Sequence, residues 1–192
     1  MAAFFDLLEK GRHGTASFSD EEAAAKRIER FVMDDREFFC KRHRAEFPTF
    51  MKVLEAMPVD QFAYRPHERS PSALELVWTL ANEMAACTTM IDSREVRWDP
   101  PPAPLPREAL RVFHANYEVL DERVNRLGEE VWRRPSKLYV GGDLFMEQPL
   151  GGFLWCLFFD AIHHRGQLST YIRPMGGKVP SIYGPSGDDP GK

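Results

Sequence analysis

Only three cysteines occur in the chain, Cys40, Cys87 and Cys156, an odd number set far apart. That excludes a disulfide framework and a two-cysteine redox motif. The three read as reduced core residues, with Cys156, one turn before Asp160, the only one close to other polar groups. Long basic runs are also missing, and 25 Lys and Arg against 29 Asp and Glu leave a net charge of −4. Nucleic acid is therefore excluded as an expected partner. Nothing matches a phosphate loop, a nucleophile elbow or a dinucleotide fingerprint. The longest apolar run, around Leu150 to Phe159, is too short to span a bilayer. The opening Met1-Ala2-Ala3-Phe4-Phe5-Asp6 lacks the charged n-region and apolar stretch of a signal peptide. The expectation is a cytoplasmic protein with no membrane partner.

What is present is enough apolar material for a core. Of 192 residues 43% are hydrophobic and 12% aromatic, which suits one globular domain. Residues 1–35 read as an extension, partly mobile, in which Ser19-Asp20-Glu21-Glu22 has the spacing of a capping box for a short helix. From Arg36, residues His43, Phe47, Phe50, Leu54 and Met57 recur at three and four, so a first long helix runs to Met57, with a kink or restart at Pro48. Ser70 or Ser72 caps a second helix from Ala73 to Ile91. Asp99-Pro100-Pro101-Pro102-Ala103-Pro104 is a stiff, non-helical linker. Leu110, Phe113, Tyr117, Leu120, Val124 and Leu127 form the cleanest helical seam, closed by Gly128. Gly141-Gly142 between apolar flanks predicts a small hairpin or ordered loop, and a last helix starts after Gly151 and stops at Pro174. The class expected is all-α: a four-helix bundle over residues 36–188, with residues 189–192 as a tail.

The last helix carries the chemistry. Advancing each residue by about 100° separates two stripes. Leu154, Leu157, Phe158, Ala161, Leu168 and Ile172 make an apolar stripe broken only by Arg165, which suggests a buried ion pair or a dimer contact. Asp160, His164, Gln167 and Tyr171 line up beside it. Polar groups at the edge of an apolar face must be bonded or coordinated, since burying one unsatisfied costs on the order of 1–3 kcal/mol. Asp160 and His164, one turn apart, either grip one metal ion or hydrogen-bond to each other. His163 points roughly 100° away. His43, on the seam of the first helix, is either a satisfied core histidine or part of a pocket lining.

The string His164-Arg165-Gly166-Gln167, followed by Tyr171-Ile172-Arg173, Gly176 and Val179 to Ser186, resembles the DinB/YfiT-like family of bacterial four-helix proteins. The resemblance covers about Glu37 to Asp188. It implies an up-down-down-up bundle, usually a homodimer, with zinc or nickel held by three histidines, one from the second helix and two from the fourth. It also implies metal-dependent transfer or isomerisation using low-molecular-weight thiols such as bacillithiol or mycothiol. Carried over, His164 matches the second ligand of the fourth helix and Asp160 stands in place of the first. Thr79, in Leu76-Val77-Trp78-Thr79, falls at the second-helix position. Glu83, one turn later among Leu76, Leu80, Cys87 and Met90, is either the substitute ligand or an acid paired elsewhere.

A set of Glu83, Asp160 and His164 would take zinc, nickel, manganese or iron, with Thr79, Gln167, Tyr171 and His43 in the pocket or supporting it. The function expected is a metal-dependent thiol S-transferase or hydrolase acting on a small molecule. The alternative is a non-catalytic dimeric bundle, stress-related or binding a small molecule, with a degenerate metal site.

Overall fold

A computed structural model describes residues 33–191; the helix expected after Ser19 lies outside the described residues. Four long helices and a small sheet follow one another: α1 (Asp35–Glu55), α2 (Ala73–Ser93), β1 (Glu95–Trp98), α3 (Pro106–Asn125), a one-turn α4 (Glu129–Trp132), β2 (Pro135–Val140), β3 (Asp143–Pro149) and α5 (Leu150–Tyr171). The fold is thus mostly helical but not all-α, because β1, β2 and β3 form a three-stranded sheet in that order. β2 and β3 are the hairpin anticipated at Gly141-Gly142. Both glycines have positive φ, +61° and +95°, as a two-residue turn demands. β1 was not anticipated. It joins β2 in parallel, Glu95 opposite Lys137 and Trp98 opposite Val140. Only four residues long, it gives no periodicity to read, and its partner lies some forty residues along the chain.

Two of the long helices begin for a plain local reason. Ser72 Oγ accepts a hydrogen bond from the Glu75 amide, and the Glu75 carboxylate accepts one from the Ser72 amide, a complete capping box at the start of α2. α3 begins on Pro106, where the missing N–H costs nothing, directly after the Pro-rich linker. α1 runs through Pro48 without the expected restart. The proline sits between Phe47 and Phe50, whose rings both pack on Tyr117. α1 packs against α3 and α5, and α2 packs against the same two helices.

The core between them is aromatic on one side: Phe50, Phe113 and Tyr117 meet with ring centres 5.5–5.6 Å apart, and Phe39 lies 5.5 Å from both Trp132 and Phe158. Leu76, Leu80, Met84, Leu154 and Leu168 fill the other side. Among the described residues no helix is long and apolar enough to cross a membrane.

One ion pair crosses this core. Arg165 of α5 and Glu46 of α1 are each 2% exposed, and Arg165 Nη1 donates to Glu46 Oε2 at 2.6 Å. The Tyr183 hydroxyl accepts from Arg165 at 2.6 Å and donates to Glu46 at 2.8 Å, while Arg42 reaches Glu46 from one turn earlier on α1. The guanidinium also lies 4.8 Å over the Phe50 ring. Burial alone would push the Glu46 carboxyl up, but the bonds from Arg165 and Tyr183 outweigh it and hold it below the usual range.

Arg165→Met should therefore lower the unfolding free energy by about 3 kcal/mol by leaving a buried carboxylate short of its partner. Arg165→Met combined with Glu46→Leu should recover at least half of that loss in urea denaturation. Two glycines of α5 should behave oppositely. A Cβ on Gly151 would stand 2.2 Å from the Trp132 ring, which Asp35 holds by its indole N–H at 3.0 Å. Gly151→Ala should cost about 1–3 kcal/mol, whereas Gly166→Ala, with open space around it, should gain about 0.5–1 kcal/mol.

Candidate metal centre

Glu83 is an acid on an apolar face of α2. It is 1% exposed, with Leu80, Met84 and Cys87 buried around it. Its Oε2 has no hydrogen-bond partner. Burial first, then the negative charge of Asp160 beside it, push its carboxyl up to about 10. Facing it from α5 are Asp160, half exposed, and His164, 18% exposed. His164 Nε2 is 3.5 Å from Glu83 Oε1 and 3.6 Å from Asp160 Oδ1. One donor atom from each residue lies within 4.8 Å of the others, so the three could hold a metal ion.

The ring of His164 is oriented for that role. Its Nδ1 is 2.8 Å from Gln167 Oε1. With Nδ1 donating to the Gln167 amide oxygen, a neutral imidazole would present its Nε2 lone pair to the two carboxyls. The distances from Nε2 to the carboxyl oxygens are too long for good hydrogen bonds. They match the separation of roughly 3.3–3.6 Å between donors on a tetrahedral ion with bonds of about 2.0–2.2 Å. Two carboxylates would also offset the charge of a divalent ion, Glu83 giving up its proton as it binds. The residues present therefore fit the group. A thiol stands at each side along the helices: Cys87, one turn beyond Glu83 and fully buried, and Cys156, one turn before Asp160 and exposed. Burial and the neighbouring acids hold both thiols above their usual range, which leaves little thiolate at either.

The remaining sequence candidates have other partners. Thr79, one turn before Glu83, donates its hydroxyl to the Glu75 carbonyl of its own helix at 3.0 Å. Tyr171, two turns beyond His164, donates to the Pro71 carbonyl at 3.1 Å and packs edge-on to Tyr64. His43 is fully buried, stacked on Tyr117 at 4.0 Å, with Nδ1 3.5 Å from Asp121 Oδ1. Its desolvation lowers its pKa against the pull of Asp121. Gln167 alone of this group touches the triad. Asp121 as the partner of His43 was not identified from the sequence, because nothing in the spacing ties position 43 to position 121.

The model of the DinB family matches residues 39–190. Among solved structures, a DinB-like protein from Bacillus subtilis is 20% identical, with 73% of this chain and 92% of that one covered and a TM-score of 0.58. A DinB-like protein from Bacillus cereus is 16% identical, with 76% and 95% covered and a TM-score of 0.62. At these identities the likeness is one of fold. Nothing among the curated proteins matches.

The buried carboxyl makes stability depend on pH with a definite sign. Unfolded, Glu83 titrates near 4.5; folded, at about 10. Between those values folding takes up a proton, so stability is greatest at the acid end of the window and falls as pH rises. Urea midpoints of chelator-treated protein at pH 5.5, 7.0 and 8.5 should decline in that order, and Glu83→Gln should flatten the decline.

Proposed function

The chain belongs to the DinB family, and from that membership and the buried triad we propose that it is a metal-dependent enzyme acting on a small molecule, a thiol S-transferase or hydrolase. The observation that carries the reading is Glu83: a carboxyl 1% exposed, with an unpartnered oxygen, 3.5 Å by its other oxygen from Nε2 of His164. A buried acid left so poorly satisfied costs the fold stability, and a cation between the three donors would offset that cost.

In this reading Glu83, Asp160 and His164 are the ligands of one divalent ion, zinc, nickel, manganese or iron. Bound there, such an ion supplies Lewis-acid polarisation of a substrate oxygen or sulfur group. Gln167 holds the His164 ring in its ligating tautomer. Asp160, half exposed, marks the open side from which a substrate approaches. The apolar neighbours of Glu83 keep water from the inner side. The small-molecule partner is a low-molecular-weight thiol or a compound linked to one, since Cys156 and Cys87 are held as thiols and do not replace an external nucleophile. We further read the four long helices as an up-down-down-up bundle, the working form as a cytoplasmic homodimer, and residues 1–35 and 189–192 as appendages of the 36–188 domain.

A second reading, a non-catalytic bundle with a degenerate site, is favoured by one observation. Thr79 spends its hydroxyl on its own helix and offers no third ligand of the usual kind.

Metal content separates the two. Protein purified without a histidine tag should carry about one ion per chain by plasma mass spectrometry, lost in His164→Ala and reduced at least tenfold in affinity by Gln167→Ala. The loaded protein should transfer a low-molecular-weight thiol to an electrophilic aryl halide. An ion content near zero after incubation with zinc, nickel, manganese and iron(II) would leave only the second reading.

A further inference from the structure

The two acids of the metal centre differ in how the protein supports them, and the difference bears on which ion they suit. A carboxylate that ligates an ion through one oxygen normally has its other oxygen held by a hydrogen bond from the protein. Glu83 has no such support. It is 1% exposed, its Oε2 has no partner, and its Oε1 lies 3.5 Å from Nε2 of His164. Among the described residues no amide, hydroxyl or guanidinium donates to Glu83 or to Asp160. Bulk water does not reach a carboxyl as enclosed as Glu83, whereas Asp160 is 52% exposed and meets it directly. Both oxygens of Glu83 are therefore free for an ion, and a cation bound by the two together would answer the orphan atom.

The donor count follows. Two oxygens from Glu83, one from Asp160 and the ring nitrogen of His164 make four, with a side open to water at Asp160. The group contains neither Cys87 nor Cys156, so sulfur takes no part. A carboxylate that chelates through both oxygens fills about the angular space of a single donor. The set is thus compatible with the 3.5 and 3.6 Å separations around His164 Nε2. Zinc favours a tetrahedron of nitrogen and sulfur donors, while manganese(II) and iron(II) take about six donors and accept many oxygens among them. We propose that Glu83 binds through both of its oxygens, and that the centre is a site of more than four donors for manganese(II) or iron(II), completed by water or substrate on the Asp160 side. This inference rests on the metal-dependent reading above and narrows it to the harder ions.

Calorimetry on the chelator-treated full chain, with manganese(II) and zinc(II) added separately, tests it. Manganese(II) should bind at one site per chain. Glu83→Gln keeps the size of the side chain and one oxygen donor, and it should weaken manganese(II) at least tenfold more than zinc(II). Asp160→His, at an exposed position, should raise the preference for zinc(II) over manganese(II) at least tenfold as imidazole replaces an oxygen donor. Unchanged circular dichroism would verify that both variants fold. The cobalt(II) form of the wild type should show the weak pink absorption of a site with more than four donors. An intense blue, tetrahedral cobalt(II) spectrum, or equal losses of manganese(II) and zinc(II) in Glu83→Gln, would overturn this inference and leave the metal-dependent reading standing. No binding of any of the three ions by the wild type would overturn both.

Discussion

The buried pair of Arg165 and Glu46 is the constraint on which much else rests. Two charges taken out of water are tolerated only when geometry and extra hydrogen bonds repay the desolvation. Here Tyr183 and Arg42 complete the carboxylate and Phe50 covers the guanidinium. The consequence is angular. With Arg165 tied to α1, the rotation of α5 is restrained, and in it His164 faces Glu83 of α2 while Trp155 meets Phe38 of α1. The same pair anchors the chain beyond α5, because Tyr183 is held in place by both partners.

Much of this arrangement is legible in the sequence, and what is illegible has a physical reason. The four long helices follow from three-four periodicity and from local stops: Ser72 with Glu75, the proline run before Pro106, and the glycines after Met175. Arg165 reads as a buried ion pair or a dimer contact because it interrupts an otherwise apolar stripe, and the structure pairs it with Glu46. Its partner does not, since Glu46 lies on a helix 119 residues away and looks like any surface acid. β1 fails for the same reason: a four-residue strand is defined by what it pairs with. Pro48 misleads in the other direction. Local propensity predicts a kink or a restart there; the helix continues without a restart, with Phe47 and Phe50 packed on Tyr117.

The candidate site divides along the same line. Asp160, His164 and Gln167 share one helix, so their spacing alone places them together. Glu83 comes from α2, and only its apolar neighbours and the family pattern single it out. Tyr171 falls on the same projected stripe as His164 yet ends at Pro71, because a stripe on a straight projection passes different neighbours as the helix advances about 1.5 Å per residue. Thr79 illustrates the opposite point: family position leads to it, and its hydroxyl donates to its own helix, to the Glu75 carbonyl one turn earlier.

Glu83 and Glu46 form an instructive contrast. Both are acids buried to within 2% of full enclosure. Glu46 is surrounded by donors and held charged, and it fixes one arrangement of helices. Glu83 has an orphan oxygen and an acid for a neighbour, and it is held neutral. A protein selected for stability alone would replace Glu83 with leucine or methionine, as at the surrounding positions of α2. A residue that breaks the local rule without compensation within the fold directs attention to a ligand outside it. That asymmetry, more than the spacing of any motif, distinguishes the acid that fixes the helices from the acid whose surroundings could hold a cation.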